Sequence, residues 1–216
     1  MAEAILIWGT GWHARVVADV VRCAGQYEIV GFIDDFAGER AGQAFCGAPI
    51  LGGREALNRW TAPRPALIVA VGDNRARLRL AAEGKAAGFG LAKGVHPAAT
   101  IAEDARISAG TVVMAGAVVN PGCRIGENVI INTGATVDHG CVVEDGAHVS
   151  AGVHLAGLVE VGEAAWIAIG ATVIDRVRIG ARTMIGAGSV VTKDVPADVV
   201  ACGVPARVAR RLVADD

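Results

Sequence analysis

Aromatic side chains are scarce in this chain: Phe, Trp and Tyr make up 4% of its 216 residues. A buried core must therefore be built from Val, Ile, Leu and Ala. An excess of basic charge is missing too. The formal net charge is −2, so there is no electrostatic footprint for nucleic acid. No apolar run reaches the roughly 18 residues that would span a bilayer. The first residues run Met-Ala-Glu into Ile5-Leu6-Ile7-Trp8, without the basic n-region or long apolar h-region of a signal peptide. The expectation is a soluble, cytoplasmic protein with no membrane span. C-x-x-C spacing is also absent. Cys23, Cys46, Cys123, Cys141 and Cys202 are an odd, scattered set, which fits a reducing compartment better than a disulfide framework. No cluster has metal-ligand spacing, so no metal is implied. Prolines are few, 7 against 29 glycines, and the chain is 53% hydrophobic. Disorder needs the opposite composition.

What is present is a repeat. Every sixth residue from Ile101 to Val191 is Ile, Leu or Val, sixteen in succession. Four residues after each comes a small or β-branched residue, as at Ala117, Ala135 and Val153. Helices repeat at 3.6 and strands at 2. A period of six fits short strands joined by turns, each strand sending one aliphatic and one small residue inward, and stacked into a solenoid with a continuous apolar core. Glycine often follows the aliphatic, as at Gly126, Gly162, Gly180 and Gly186, where a turn with positive φ is expected. About five coils without a long insertion are predicted.

The pattern [Ile/Leu/Val]-Gly-x4, ending in Gly188-Ser189-Val190-Val191-Thr192-Lys193-Asp194-Val195-Pro196 and Gly203-Val204-Pro205-Ala206, resembles the hexapeptide-repeat acyltransferases. The resemblance covers residues from about 95 to 205. It implies a left-handed parallel β-helix, three hexads per coil, assembled as a homotrimer.

The first half reads differently. Ala4–Trp8, Ile29–Ile33 and Leu67–Val71 are apolar runs of strand length, and 15–24 and 75–87 have helical character. This βαβ order predicts a parallel sheet. Gly9-x-Gly11-x-x-Ala14 follows the first strand, and Asp34-Asp35 ends the second. Glycines there admit phosphate oxygens to backbone N–H groups at a helix N-terminus. About 95 residues supply only half a Rossmann fold, which disfavours an NAD dehydrogenase. The expected architecture is thus a small α/β, Rossmann-like domain over 1–94 and a left-handed β-helix with a C-terminal tail over 95–216.

Together the halves resemble the sialic-acid O-acetyltransferases and the N-acetyltransferases of bacillosamine and perosamine biosynthesis. The resemblance implies acetyl-CoA as acetyl donor, and a nucleotide-linked amino sugar held by the N-terminal domain through Gly9, Gly11, Trp12, His13, Asp34 and Asp35. Trp12 stands where the family commonly has glycine, and either stacks on the ligand or packs. The stretch Asn132-Thr133-Gly134-Ala135-Thr136-Val137-Asp138-His139 matches the family's catalytic hexads, which makes His139 the general base and Asn132 a substrate contact. At eighteen residues per coil Gly157 lies one coil above His139. By resemblance the Gly157 N–H binds the thioester carbonyl. His148, below Trp166 in its column, matches a second histidine of the family, and is either a further cofactor-site residue or a packed or solvent-facing one. The resemblance adds Ile169, Ala187 and Arg207 to the cofactor site. Arg207, with Arg210 and Arg211, either meets the phosphates of coenzyme A or forms a solvated tail. The family often orients its base with a glutamate at the next position. That position is Gly140 here, so the orienting group stays open, Asp138 included. His154 reads as surface, and Cys123 and Cys141 as core. The implied activity is N-acetylation of a sugar 4-amino group. A sugar O-acetyltransferase or a non-catalytic β-helical assembly subunit would share the scaffold.

Overall fold

A computed structural model describes residues 2–212. The last four residues of the expected tail, 213–216, lie outside the described residues. The chain divides into two compact units, 1–96 and 97–216.

The first unit opens with β1 (Glu3–Trp8), α1 (Trp12–Ala24) and β2 (Tyr27–Ile33). A small antiparallel pair follows, β3 (Ala44–Phe45) with β4 (Ala48–Pro49). Then come β5 (Ala66–Val69), α2 (Asn74–Ala86) and β6 (Gly94–Val95). The central sheet is parallel in the order β2-β1-β5, as the βαβ reading predicts. The middle of β1 is fully buried through Ile5, Leu6 and Ile7, because helices cover such sheets on their faces. Helix α1 turns Ala14, Val17, Ala18, Val20 and Val21 into the core. Helix α2 starts where the Asp73 side chain accepts from the Ala76 N–H at 2.6 Å, an N-cap that satisfies one otherwise orphaned donor. The stretch from 36 to 60, with its hairpin and short 3₁₀ turns, has no periodicity that would reveal it in the sequence.

The second unit is a left-handed parallel β-helix with three faces. Two-residue strands recur every six residues from Thr100–Ile101 to Val190–Val191 without an insertion. The first face runs Thr100–Ile101, Val118–Val119, Thr136–Val137, His154–Leu155, Thr172–Val173 and Val190–Val191. The second carries Arg124–Ile125, Val142–Val143 and Glu160–Val161 among its five strands. The third carries Ile130–Ile131, His148–Val149, Trp166–Ile167 and Met184–Ile185. Six strands on the first face make about six turns, one more than the sequence reading expects.

Both inward positions of the repeat behave as predicted. Val119, Val137, Leu155 and Val173 are buried, and so are Ala117, Ala135, Val153 and Ala171. Each buried branched aliphatic contributes about 1.5–3 kcal/mol relative to leaving it in water. Polar residues at inward positions find partners: the Thr111 hydroxyl donates to Gly126 O at 2.7 Å, and that of Thr183 to Pro196 O at 2.6 Å.

The glycine reading needs correcting. The backbone turns left-handed at every sixth residue from Gly110 to Gly188, three places after the inward aliphatic. Nine of those fourteen corners are glycine, and Asn128, Leu158, Ala164, Arg176 and Arg182 hold the rest. Gly126, Gly162, Gly180 and Gly186 are not left-handed. They are small because a neighbouring coil crowds them: a Cβ on Gly162 would lie 2.6 Å from Ala181 N.

After the third face the chain forms an antiparallel hairpin, Val199–Gly203 with Ala206–Arg211. Its first strand pairs with Met184–Ile185.

Candidate active site

His139 sits on the corner after the first-face strand Thr136–Val137, and its side chain is exposed. Two contacts fix the corner. The Asp138 carboxylate accepts the His139 backbone N–H at 2.7 Å and an Asn120 amide N–H at 2.8 Å. Those two hydrogen bonds hold the Asp138 carboxyl below the usual carboxylate range. The Leu158 N–H donates to His139 O at 2.9 Å, which locks this corner to the next coil. Asp138 therefore grips the backbone of His139. Among the described residues no carboxylate hydrogen-bonds its ring. The following residue, Gly140, has φ +67° and is one of the left-handed corners. An acid there would pay the strain of that conformation.

Gly157 lies one coil above, buried. A Cβ built on it would come within 2.5 Å of His139 Cε1 and 2.6 Å of Nε2. Its φ is not left-handed, so glycine is required there for space. The imidazole lies over the backbone at Gly157, where any larger residue would push it away.

A cavity of about 280 Å³ on the first face is lined by Asn120, Thr136, Asp138, His154, Ala156 and Thr172. It reaches Asp138, the residue before His139. The Thr136 hydroxyl and His154 Nδ1 pair at 2.9 Å within it. His154, read as plain surface, is exposed and also lines this cavity. The signal for it was the column Thr136, His154, Thr172, adjacent by register to the corner of His139. A larger cavity, about 430 Å³, lies on the second face among Arg106, Arg124, Glu144, Asp145 and Glu163. It holds charged side chains of both signs and no histidine.

Asn132 and His148 come together elsewhere. Asn132 Nδ2 is 3.2 Å from His148 Nε2. The His148 ring stacks on Trp166, centroids 6.2 Å apart and 10° from parallel. Trp166 donates through Nε1 to Ser150 Oγ at 2.9 Å. This cluster belongs to the third face and its corner. Ile169, 61% exposed, and Ala187 sit one coil apart at that same corner, where the Gly188 N–H donates to Ile169 O. Within one protomer the β-helix does not bring these residues to His139. Arg207 is exposed on the terminal hairpin, and its guanidinium donates to Ala206 O at 2.8 Å. Cys123 and Cys141 are buried, with Cys123 Sγ 3.0 Å from Asp138 O.

In the first unit Gly9 takes φ +131°, and a Cβ there would lie 2.7 Å from Ala70 O. Gly11 precedes α1 with nothing within 4 Å of a built Cβ, so the helix N-terminus is approachable. Beside it lies a cavity of about 360 Å³, lined by Thr10, Gly11, Trp12, Arg15, Arg40 and Phe45 among others. Trp12 is 85% exposed. The Arg15 guanidinium lies 5.2 Å from its ring centroid and 4.9 Å from that of Phe45.

The acidic pair is engaged inside the unit. Asp34 accepts from the Thr10 hydroxyl, from Arg40 and from the Phe36 N–H. Asp35 pairs with Arg54 at 2.9 Å. Burial raises the Asp35 carboxyl, but the Arg54 hydrogen bonds and charge outweigh it and leave the group below its ordinary range. Arg40 and Arg54 belong to the stretch without periodicity, and nothing in the sequence pointed to them. His13 is not part of the lining of the cavity beside the α1 N-terminus. Its Nε2 is buried without a hydrogen-bond partner. Burial, and then the charge of Arg77, push its pKa down to about 4. Arg77 is itself buried and donates to Val71 O and Gly72 O.

Among the described residues no helix is long and apolar enough to cross a membrane.

Comparison with known proteins agrees with the two-part fold. Residues 4–83 match the PglD N-terminal domain family, and 104–139 and 159–193 match the bacterial transferase hexapeptide (six repeats) family. A histidine-to-alanine mutant of the GDP-perosamine N-acetyltransferase of Caulobacter crescentus, solved with CoA and GDP-perosamine, is 39% identical with a TM-score of 0.90, over 95% of this chain and 96% of that one. The acetyltransferase domain of PglB from Neisseria gonorrhoeae, solved with acetyl coenzyme A, is 37% identical with a TM-score of 0.90, over 96% and 100%. A galactoside O-acetyltransferase of Lactococcus lactis is 48% identical over 54 residues, 25% of this chain and 26% of that protein. The match thus spans about a quarter of that curated relative. On the strength of these two similarities, which span nearly all of this chain, it belongs to the hexapeptide-repeat acetyltransferases, in the subfamily that carries an N-terminal PglD-type domain.

Proposed function

We propose that this protein transfers the acetyl group of acetyl-CoA to the 4-amino group of a nucleotide-linked amino sugar, UDP- or GDP-linked. The observation that carries the reading is the His139 imidazole, held on an exposed corner directly over Gly157. Acetyl transfer to an amine needs a proton acceptor for the nucleophile and a donor for the developing oxyanion. In this reading His139 takes the proton as the amine attacks the thioester carbonyl. The Gly157 backbone N–H donates to the carbonyl oxygen as it gains charge. The C–S bond then breaks, and the imidazolium returns its proton to the departing thiolate. Asp138 keeps the corner in place through the His139 N–H. Neither a covalent cysteine nor a metal takes part. The family places acetyl-CoA as donor, and the Caulobacter and Neisseria structures hold CoA and acetyl-CoA respectively.

The unit over 1–94 binds the nucleotide sugar. Gly9 and Gly11 offer backbone at the α1 N-terminus to a diphosphate. Trp12, with Arg15 beside it, lines the adjoining cavity, and Asp34 holds Arg40 in its wall. Asp35, tied to Arg54, follows Asp34 at the end of β2. His13 supports that loop from within. Asn132, His148, Ile169 and Ala187 belong to another corner, so they serve the reaction when a second copy brings that corner to His139. A homotrimer, with Arg207 near the phosphates of coenzyme A, meets this need.

A second reading, O-acetylation of a sugar hydroxyl, is favoured by the match to a galactoside O-acetyltransferase. One experiment separates the readings. UDP-, GDP- and CMP-linked amino sugars, and their hydroxyl analogues, are offered with acetyl-CoA while free thiol release is followed. Release with a 4-amino sugar and none with its 4-hydroxy analogue supports the proposal. The reverse selects the O-acetyltransferase. Silence with every acceptor selects a non-catalytic assembly subunit.

A further inference from the structure

Acetyl transfer uses no metal, yet the fold assembles one group of metal-ligand side chains that the sequence concealed. Asp19 and Cys23 lie one turn apart on α1, and His96 follows β6, which packs against that helix. A carboxylate oxygen of Asp19, Cys23 Sγ and a ring nitrogen of His96 all lie within 4.8 Å of one another. Among the described residues no other group of three His, Cys, Asp or Glu side chains meets that standard.

We propose that Asp19, Cys23 and His96 form a surface site for a divalent transition metal of the zinc class, with three protein ligands and water in the fourth position. The donor set is the first argument. Thiolate, imidazole and carboxylate together suit zinc, whereas magnesium and calcium take oxygen alone. Geometry is the second. Zn–S of about 2.3 Å and Zn–N or Zn–O of about 2.0–2.2 Å place tetrahedral ligand atoms roughly 3.4–3.7 Å apart. The spacing present is within reach of that by small side-chain rotations. The i, i+4 pair is the third: residues so spaced share one helix face and aim at one point. The buried stripe of α1, from Ala14 to Val21, fixes the rotation of the helix and leaves Asp19 and Cys23 exposed on its flank. Finally, Cys23 is in the last turn of α1, where the helix dipole favours a cation. Cys23 is a free thiol. On binding, it gives its proton to solvent as the metal–sulfur bond forms.

Such an ion would pin the C-terminal end of α1 to the strand beside it. The same helix starts at the Gly9–Gly11 loop, so the brace steadies the element that presents that loop.

The test uses the full-length protein after chelator treatment and dialysis, titrated with Co²⁺ and then with Zn²⁺. One equivalent of Co²⁺ should bind with a thiolate-to-metal charge-transfer band in the near ultraviolet and tetrahedral bands in the visible. Zn²⁺ should displace it and raise the thermal midpoint. Cys23→Ala should abolish the charge-transfer band while its circular dichroism stays that of the parent. Cys46→Ala and Cys202→Ala should keep the band. Asp19→Asn and His96→Gln should each weaken Zn²⁺ by on the order of 10–100-fold or more, at least the loss seen for an outer-shell partner. A parent protein without the band, a band that survives Cys23→Ala, or Zn²⁺ affinity unchanged in Asp19→Asn overturns the site. None of these readouts involves acetyl transfer, so the site and the proposed function fail separately.

Discussion

The imidazole of His139 occupies the space that a side chain at position 157 would need, with Cε1 and Nε2 2.5 and 2.6 Å from a Cβ built on Gly157. The base and the backbone donor of the proposed reaction are therefore one steric unit, made by stacking successive coils at about 4.8 Å.

Gly157→Ala tests that unit. The added methyl cannot fit beneath the ring, so the imidazole must swing outward, and His139 is exposed enough to do so. Displacing a catalytic group by about 1 Å costs on the order of 10²-fold in rate. Turnover should fall by about that much while the thermal midpoint changes little. Unimpaired turnover would show that the ring position over Gly157 is irrelevant to rate.

His139→Asn should lower kcat and kcat/KM together by about 10²–10⁴-fold, with acetyl-CoA binding by calorimetry nearly intact. For an amine acceptor the deficit should shrink as pH rises, because free amine becomes abundant. For a hydroxyl acceptor it should persist. A variant that turns over like the parent at neutral pH would move the general-base role away from His139.

Asp138 holds the corner through a hydrogen bond to backbone, and its two substitutions should separate. Asp138→Asn keeps an acceptor for the His139 N–H and should retain most activity and stability. Asp138→Ala leaves that N–H without its partner and should lose about 0.5–2 kcal/mol, as capping residues do. If Asp138→Asn instead shifts the pH–rate profile as strongly as Asp138→Ala, the carboxylate acts through its charge on the base.

His13 predicts a pH dependence of stability in the N-terminal unit. Its pKa is about 4 in the folded protein against an ordinary 6.5. A depressed histidine stays neutral in the fold while the unfolded chain takes up a proton. Its stabilising effect is thus complete above about pH 6.5 and is lost as pH falls from there towards 4, by about 3 kcal/mol in all. Urea midpoints between pH 4 and 7 should show this slope in the parent and lose it in His13→Phe. An equal slope in both would place the titrating group elsewhere.

The β-helix was legible because its cause is repetitive: an aliphatic must face inward once per six residues, and sixteen successes from Ile101 to Val191 leave no other period. The same arithmetic put Gly157 above His139 and Trp166 beside His148, since register in a solenoid is sequence spacing. It failed where contacts are not periodic. Asp34 and Asp35 were visible as an acidic pair, but Arg40 and Arg54, which engage them, come from an irregular stretch with no pattern to reveal it. The left-handed corners were assigned to the wrong glycines because crowding by a neighbouring coil and positive φ both select glycine, and sequence does not distinguish the two. His96 could not be paired with Cys23 before β6 was known to pack on α1.

The terminal hairpin has a consequence for how the molecule behaves in a crowd. A parallel solenoid ends in open backbone donors and acceptors that another solenoid could extend, and unprotected sheet edges lead to fibres. Here the strand after Met184–Ile185 is followed by one of opposite direction, Ala206–Arg211, whose edge carries Arg207, Arg210 and Arg211. A second parallel coil arriving on this face would meet reversed polarity and three arginines. The hairpin thus caps the third-face ladder with an antiparallel strand, an arrangement that disfavours end-to-end extension by another solenoid.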